Sequence, residues 1–221
     1  MKKLSTTNSL YLLLASKILS FSVAIFLALI MGKEALDFQQ NNIIFKLFDL
    51  ILTIVVYINL ATINEKFQKA SVCGILYATV SVISIFIKNV TTTVFLGFNL
   101  FNINEIIIHI FNVLTVYYFY KGFCMLTQQY DNKLYAVWKK LGIINLAISI
   151  ISFLLVFTSD VIVNFISQYF MIVLLLALLG LALFVVLYFT EFIYIIKTIK
   201  SIQMSIEKKV SAKPKRGKNV K

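Results

Sequence analysis

The segment from Tyr169 to Ile196, YFMIVLLLALLGLALFVVLYFTEFIYII, contains one charged residue, Glu191, and is followed at once by Lys197. A helix rises 1.5 Å per residue, so one of this length exceeds the hydrocarbon core of a bilayer, which is about 30 Å thick. The segment is therefore predicted to be a transmembrane helix that either tilts or continues beyond the bilayer.

Five further apolar segments precede it, which indicates an all-α protein: a polytopic bundle of six transmembrane helices. The six predicted spans are about 10–31, 43–63, 71–87, 104–126, 141–158 and 169–196. Residues 1–196 are thus predicted to form the bundle, and 197–221 a basic tail. The composition agrees, because 14% of the residues are charged, whereas a soluble domain has about 25%. Helices are favoured over open sheets because a backbone in lipid must satisfy its own hydrogen bonds.

The basic residues predict the orientation of this bundle. Of the 21 lysines and arginines, 17 fall on one side of the predicted membrane, with Lys121 counted there at the inner end of span 4, and two fall on the other. Lys17 and Lys46 lie deeper inside spans. The positive-inside rule places the richer side, with both termini, in the cytoplasm. The high content of Ile, Lys and Asn favours a bacterial source. The expected location is then the cell (inner, cytoplasmic) membrane.

Polar stripes run along the second and fourth spans. The candidate site residues on them are Lys46, Asp49 and Thr53 on span 2, and Glu105, His109 and Asn112 on span 4. Asp49 and His109 lie at matching depths, about 8–9 Å below the outer ends of their spans. A polar stripe in a membrane helix faces protein or water rather than lipid. If the two spans adjoin, these six residues form one polar cavity open to the outside.

A purely structural interpretation of the same stripes stays open. Lys46 and Asp49 are neighbours one helical turn apart and can neutralise each other. Lys46 and Glu105 are shallow enough to extend to the lipid headgroups, and His109 can hydrogen-bond Glu105. The alternative is a ligand or proton site, since ionisable groups inside a membrane are commonly functional.

A second charged pair is predicted nearer the cytoplasm. Lys17 lies about 10 Å from the inner end of span 1, and Glu191 about 9 Å from the inner end of span 6. Equal depth and opposite charge predict an ion pair between the first and last helices. Its role is either to brace the bundle or to take part in transport.

Small residues recur at helical spacing on three spans and predict close helix–helix approach. They are Ser16, Ser20, Ala24, Ala28 and Gly32 on span 1, Ser71, Gly74, Ala78 and Ser81 on span 3, and Gly142, Asn145, Ser149 and Ser152 on span 5. A solute path lined by small residues is the alternative interpretation of these rows.

The tail combines an apolar stripe with a high positive charge. Ile199, Ile202, Ile206 and Val210 follow helical spacing, which predicts an amphipathic helix; the residues from 213 onward are predicted to be disordered. Contact with anionic lipid headgroups is expected for Lys208, Lys209, Lys213, Lys215 and Arg216, at about 1 kcal/mol per base near the surface. Nucleic-acid binding is not expected, because neither interleaved aromatic residues nor a folded binding module is present.

The sequence contains no catalytic or nucleotide-binding motif, so an enzyme is not expected. Neither a metal nor another cofactor is expected either, because the chain has a single histidine and no further good ligand nearby. Two functions remain. One is a membrane subunit of a transport system that acts with partner proteins, a class that the chain resembles in topology alone. The other is a non-transporting sensor, immunity or assembly protein. Protein partners or further copies of the chain are expected in both cases.

Overall fold

The structure, a computed structural model, describes residues 5–31, 43–88, 94–95, 98–157 and 170–211. The described elements are six helices and one short hairpin: α1 Thr6–Met31, α2 Ile43–Ala61, α3 Glu65–Lys88, β1 Val94–Phe95, β2 Phe98–Asn99, α4 Leu100–Thr127, α5 Asn132–Phe157 and α6 Phe170–Ser211. The two short strands pair antiparallel. All six helices are long and apolar enough to cross a membrane. The predicted all-α architecture with six helices of membrane-spanning length is confirmed.

Capping residues explain why two helices begin well before the apolar segments predicted for them. The Asn64 side-chain oxygen accepts hydrogen bonds from the backbone N–H groups of Lys66 and Phe67, both at 3.0 Å. Asp131 Oδ1 accepts from the N–H of Lys133 at 2.8 Å. These bonds satisfy donors that a helix start leaves unpaired. Helix α3 therefore starts at Glu65 rather than near 71, and α5 at Asn132 rather than near 141.

Each helix packs against its neighbours in sequence, and α1 also packs against α6. The most extensive interfaces are α3 with α4, α2 with α3, and α4 with α5. The short turns 62–64 and 128–131, the start of α1 and the end of α6 share one end of the bundle, called the basic end here. Its exposed lysines are Lys69, Lys121, Lys133, Lys139, Lys140, Lys197, Lys200 and Lys208.

The tightly packed core lies in the basic half of the bundle. Trp138 of α5 stacks on Phe123 of α4 with ring centroids 3.9 Å apart, and Phe67 of α3 meets Phe123 edge-on at 5.1 Å. All three side chains are fully buried. Ring contacts of this kind add to the stabilisation from burial alone. This aromatic cluster ties the middle helices together near the two short turns.

Two glycines allow this close packing. A Cβ atom at Gly122 of α4 would lie 2.7 Å from the ring of Phe67, and one at Gly142 of α5 would lie 2.8 Å from Cβ of Tyr120. Both distances are too short for a real Cβ. In each case the missing side chain of glycine lets an adjacent helix come closer than a larger residue would allow.

The opposite half of the bundle is open. On α6, every described side chain from Leu174 to Val186 is exposed, and a Cβ at Gly180 would meet nothing within 4 Å. A helix that is apolar all round is expected only where lipid or another membrane helix surrounds it. The bundle thus has a closed basic half and an opposite half, called the open half here, in which α6 is exposed while Ser81, Asn104 and Ser149 of the other helices are still buried.

Candidate functional site

Lys46 and Asp49 line a groove between α1 and α2 in the open half of the bundle. The groove has a volume of about 310 Å³. Its other lining residues are Ser20, Val23, Ala24, Phe45 and Phe48. Lys46 and Asp49 lie one helical turn apart on α2, and no salt bridge joins the two among the described residues. The groove therefore presents a base and an acid beside the small side chains of α1.

The polar stripes of α2 and α4 do not meet face to face, because α3 packs extensively against both helices. Tyr77 of α3, which is half-buried, lies within electrostatic range of both Asp49 and Glu105. The condition that spans 2 and 4 adjoin at this depth is not met. The polar residues are instead separated: Lys46 and Asp49 line the groove beside α1, His109 lies beside α5, and Thr53 is half-buried on α2.

Direct contacts of α2, and of the turn 62–64 that follows it, with α4 do occur, but at the basic end. The Asn64 side chain donates a hydrogen bond to the Gly122 carbonyl at 3.0 Å, and Tyr57 lies edge-on to Phe119. This arrangement closes the basic half beneath the two stripes.

His109 points toward α5 rather than α2. Its ring lies 6.2 Å from that of Phe153, measured between centroids. Its Nδ1 atom is buried without a hydrogen-bond partner among the described residues, and the same holds for Nδ2 of Asn104 one turn nearer the open end. Buried polar atoms are normally hydrogen-bonded, so these two nitrogens are available to water or a polar ligand. Asn112, a further turn inward, is half-buried.

The structure brings Lys17 and Glu191 together in the basic half. Lys17 Nζ lies 2.7 Å from Glu191 Oε2. The Tyr120 hydroxyl donates to the other carboxylate oxygen, and the Tyr188 hydroxyl donates to the Lys17 carbonyl. Lys17 also lies over the Tyr188 ring, 5.3 Å from its centroid. The ion pair thus joins α1, α4 and α6 through a network of four side chains.

The sequence identified the two charges but not the tyrosines around them. The position of Tyr188 near the ion pair could have been predicted, since Tyr188 lies one turn before Glu191 on α6. Tyr120 could be placed only by knowing how α4 is rotated in the bundle. Tyr77 could not be identified from the sequence for the same reason, because the rotation of α3 in the bundle was not known.

The tail does not begin as a separate element after residue 196. Helix α6 continues without a break to Ser211, and Ile199 and Ile202 are buried in the bundle while Ile206 is exposed. Trp138 Nε1 donates to Thr198 Oγ1 at 3.0 Å, which fixes this part of α6 against α5. Among the expected lipid contacts Lys208 is exposed; the side chain of Lys209, and Lys213, Lys215 and Arg216 entirely, lie outside the described residues.

Among the residues that the structure describes, no three His, Cys, Asp or Glu side chains are grouped so that they could hold a metal ion. The groove therefore offers an acid and a base, whereas the unpaired nitrogens of Asn104 and His109 lie apart from it on α4. Comparison of the chain with known protein families, curated proteins and solved structures finds no match. The six apolar helices support a multi-pass membrane protein.

Proposed function

We propose that the chain is a membrane subunit of a transport system, which receives a polar solute in the open half of its bundle and acts together with partner proteins. The observation that carries the proposal is the groove between α1 and α2, where Lys46 and Asp49 lie among small side chains. Charged groups inside a membrane are costly, and they commonly mark solute or ion paths.

The contrast between the two halves supports the same proposal. A transporter that alternates its access needs one side open and the other side closed around a central site. In this bundle the groove lies in the open half, whereas the Lys17–Glu191 pair and the aromatic cluster close the basic half. Passage of a solute requires this closure to open, and the chain has no motif that supplies energy for it. A partner protein is therefore part of the proposal.

The alternative is a non-transporting sensor, immunity or assembly protein. One observation favours it: the exposed apolar surface of α6 between Leu174 and Val186 offers a large area to another membrane helix. In that case the Lys17–Glu191 network is a permanent brace, and the groove holds lipid rather than water.

Water access to the groove distinguishes these functions. In a variant with both natural cysteines replaced by serine, we expect Asp49→Cys and Ser20→Cys to react with a membrane-impermeant thiol reagent added to intact cells. Ile51→Cys is the matched control, because Ile51 is exposed on α2 outside the groove and should face lipid. Thiol reagents act on the thiolate, which requires water. If Asp49→Cys is folded but as unreactive as Ile51→Cys, the groove is filled with lipid and the transport proposal fails.

The identity of what co-purifies in mild detergent supplies the second discriminating result. A co-purified ATPase supports the transport subunit, whereas a kinase or a toxin supports the alternative. The variant Asp49→Leu should keep its partner but lose function, because it removes the groove carboxylate. Glu65→Gln is a suitable control, since that carboxylate is exposed at the basic end.

A further inference from the structure

A second cavity lies between α4 and α5 at the basic end, away from the groove described above. It has a volume of about 270 Å³. Lys121 and Lys139 lie on its two walls, beside the aromatic side chains of Tyr120, Tyr135 and Trp138. Toward the middle of the bundle its lining continues with Tyr117, Ile143 and Leu146. The two lysines thus lie nearer the helix ends than this largely apolar part of the lining.

The two lysines occupy one level because of the hairpin that joins the helices. Lys121 precedes the turn 128–131 by about two helical turns and Lys139 follows it by about the same length. Both side chains are exposed, and Cys124 of α4 shares the cavity lining with them. Neither lysine forms a salt bridge among the described residues, and no acidic residue lines the cavity.

We propose that this cavity binds one anionic phospholipid, with the phosphate between Lys121 and Lys139 and the start of an acyl chain against Ile143 and Leu146. The lining matches such an amphiphile, because both positive charges lie nearer the helix ends and the aliphatic side chains lie nearer the middle of the bundle, with aromatic rings beside both. A free phosphate shares the charge but not the apolar part. The site is distinct from the expected headgroup contacts of the α6 lysines and does not depend on the transport proposal.

Cys124 makes the proposal measurable in the unaltered chain. The protein is reconstituted in vesicles of phosphatidylcholine with increasing phosphatidylglycerol, treated with the neutral reagent N-ethylmaleimide, and digested. The modification of Cys124 and Cys73 is then quantified separately by mass spectrometry. Cys73 on α3 lies outside this cavity and serves as the internal reference. We expect phosphatidylglycerol to slow modification of Cys124 and to leave Cys73 unchanged.

Paired lysine variants provide the matched control. Lys121→Gln with Lys139→Gln should weaken the preference for phosphatidylglycerol over phosphatidylcholine by about thirtyfold, since each base near an anionic lipid contributes about a factor of five. The variant Lys133→Gln with Lys140→Gln also removes two positive charges from the basic end, but neither residue lines the cavity. Phosphatidylglycerol should still protect Cys124 in this variant.

Three results would overturn the proposal. In the first, phosphatidylglycerol has no effect on Cys124. In the second, the control pair loses protection as fully as the cavity pair, which means that only the general surface charge matters. In the third, inorganic phosphate in phosphatidylcholine vesicles protects Cys124 as well as phosphatidylglycerol does, which assigns the site to a soluble anion. Removing a lysine can itself change the reactivity of the Cys124 thiol, so a second measurement reports lipid binding directly. In native mass spectrometry, phosphatidylglycerol should stay bound to the purified natural chain and should be lost from the Lys121→Gln, Lys139→Gln variant.

Discussion

Lys17 and Glu191 are the clearest case of a single contact that organises this bundle. Each is expected to depend on the other, because removal of one partner leaves an uncompensated charge in a poorly solvated position. We expect Lys17→Leu or Glu191→Leu alone to lower the free energy of unfolding by about 3 kcal/mol, and the double variant to lose less than the sum. Unfolding with SDS in mixed micelles measures all three. Strictly additive losses would show that the two groups are independent.

Tyr120 extends this test, because its hydroxyl donates to the free carboxylate oxygen of Glu191. Hydrogen bonds to charged groups contribute about 1.5–3 kcal/mol. Tyr120→Phe should therefore destabilise the natural chain by an amount in this range, and should have almost no effect when Glu191 is already leucine. An equal loss in both backgrounds would assign the effect to packing of the ring.

Gly122 and Gly180 are a natural pair for testing how closely the helices pack. A Cβ at Gly122 meets the Phe67 ring at 2.7 Å, whereas one at Gly180 meets nothing. Overpacking of this kind costs about 1–3 kcal/mol. Gly122→Ala should lower the melting temperature in detergent, while Gly180→Ala should leave it unchanged or raise it slightly, because alanine is the better helix former. A similar response at both positions would contradict the close contact of α3 with α4.

At the scale of elements, α6 connects the membrane bundle with the segment that the sequence assigned to a tail. Ile199 is 2% exposed and Ile206 is 50% exposed. Ile199→Ala should cost about 2–5 kcal/mol because it leaves a cavity in the core, whereas Ile206→Ala should change stability by less than about 0.5 kcal/mol. Unfolding curves of the two variants compare them directly. Equal, small effects would instead indicate a helix that rests on the membrane surface.

The elements also show what could be predicted from the sequence. The six helices could be predicted from hydropathy, and the equal depth of Lys17 and Glu191 could be predicted from the rise of a helix. The packing order of the helices could not be predicted, because the equal depth of Asp49 and His109 does not say which helices adjoin. In the structure α3 packs extensively against both α2 and α4. The cavity at Lys121 and Lys139 could be predicted only in part. Their equal distance from the turn predicts that the two lysines lie at one level, but not that they face each other.

At the scale of the whole molecule, the two halves of the bundle differ in what surrounds them. The basic half is held by the aromatic cluster of Phe67, Phe123 and Trp138 and by the Lys17–Glu191 pair. The open half exposes apolar side chains along α6 and the charged groove between α1 and α2. The basic half therefore supplies the stability of the fold, and the open half supplies the surfaces for lipid, solute or a partner helix.

The orientation of this asymmetric bundle is the last prediction. Seventeen of the 21 basic residues lie on the side of the predicted cytoplasm, and retention of basic segments on that side orients membrane proteins. In a cysteine-free chain, Lys33→Cys and Asp160→Cys should react with an impermeant reagent in intact cells, although both positions lie outside the described residues. Lys133 is exposed at the start of α5, and Lys133→Cys should react only after the cells are permeabilised. That reaction is also the control, because it shows that the thiol itself is reactive. Labelling of Lys133→Cys in intact cells would place the basic end outside the cell, and the cavity at Lys121 and Lys139 would then face the wrong leaflet for the proposed lipid.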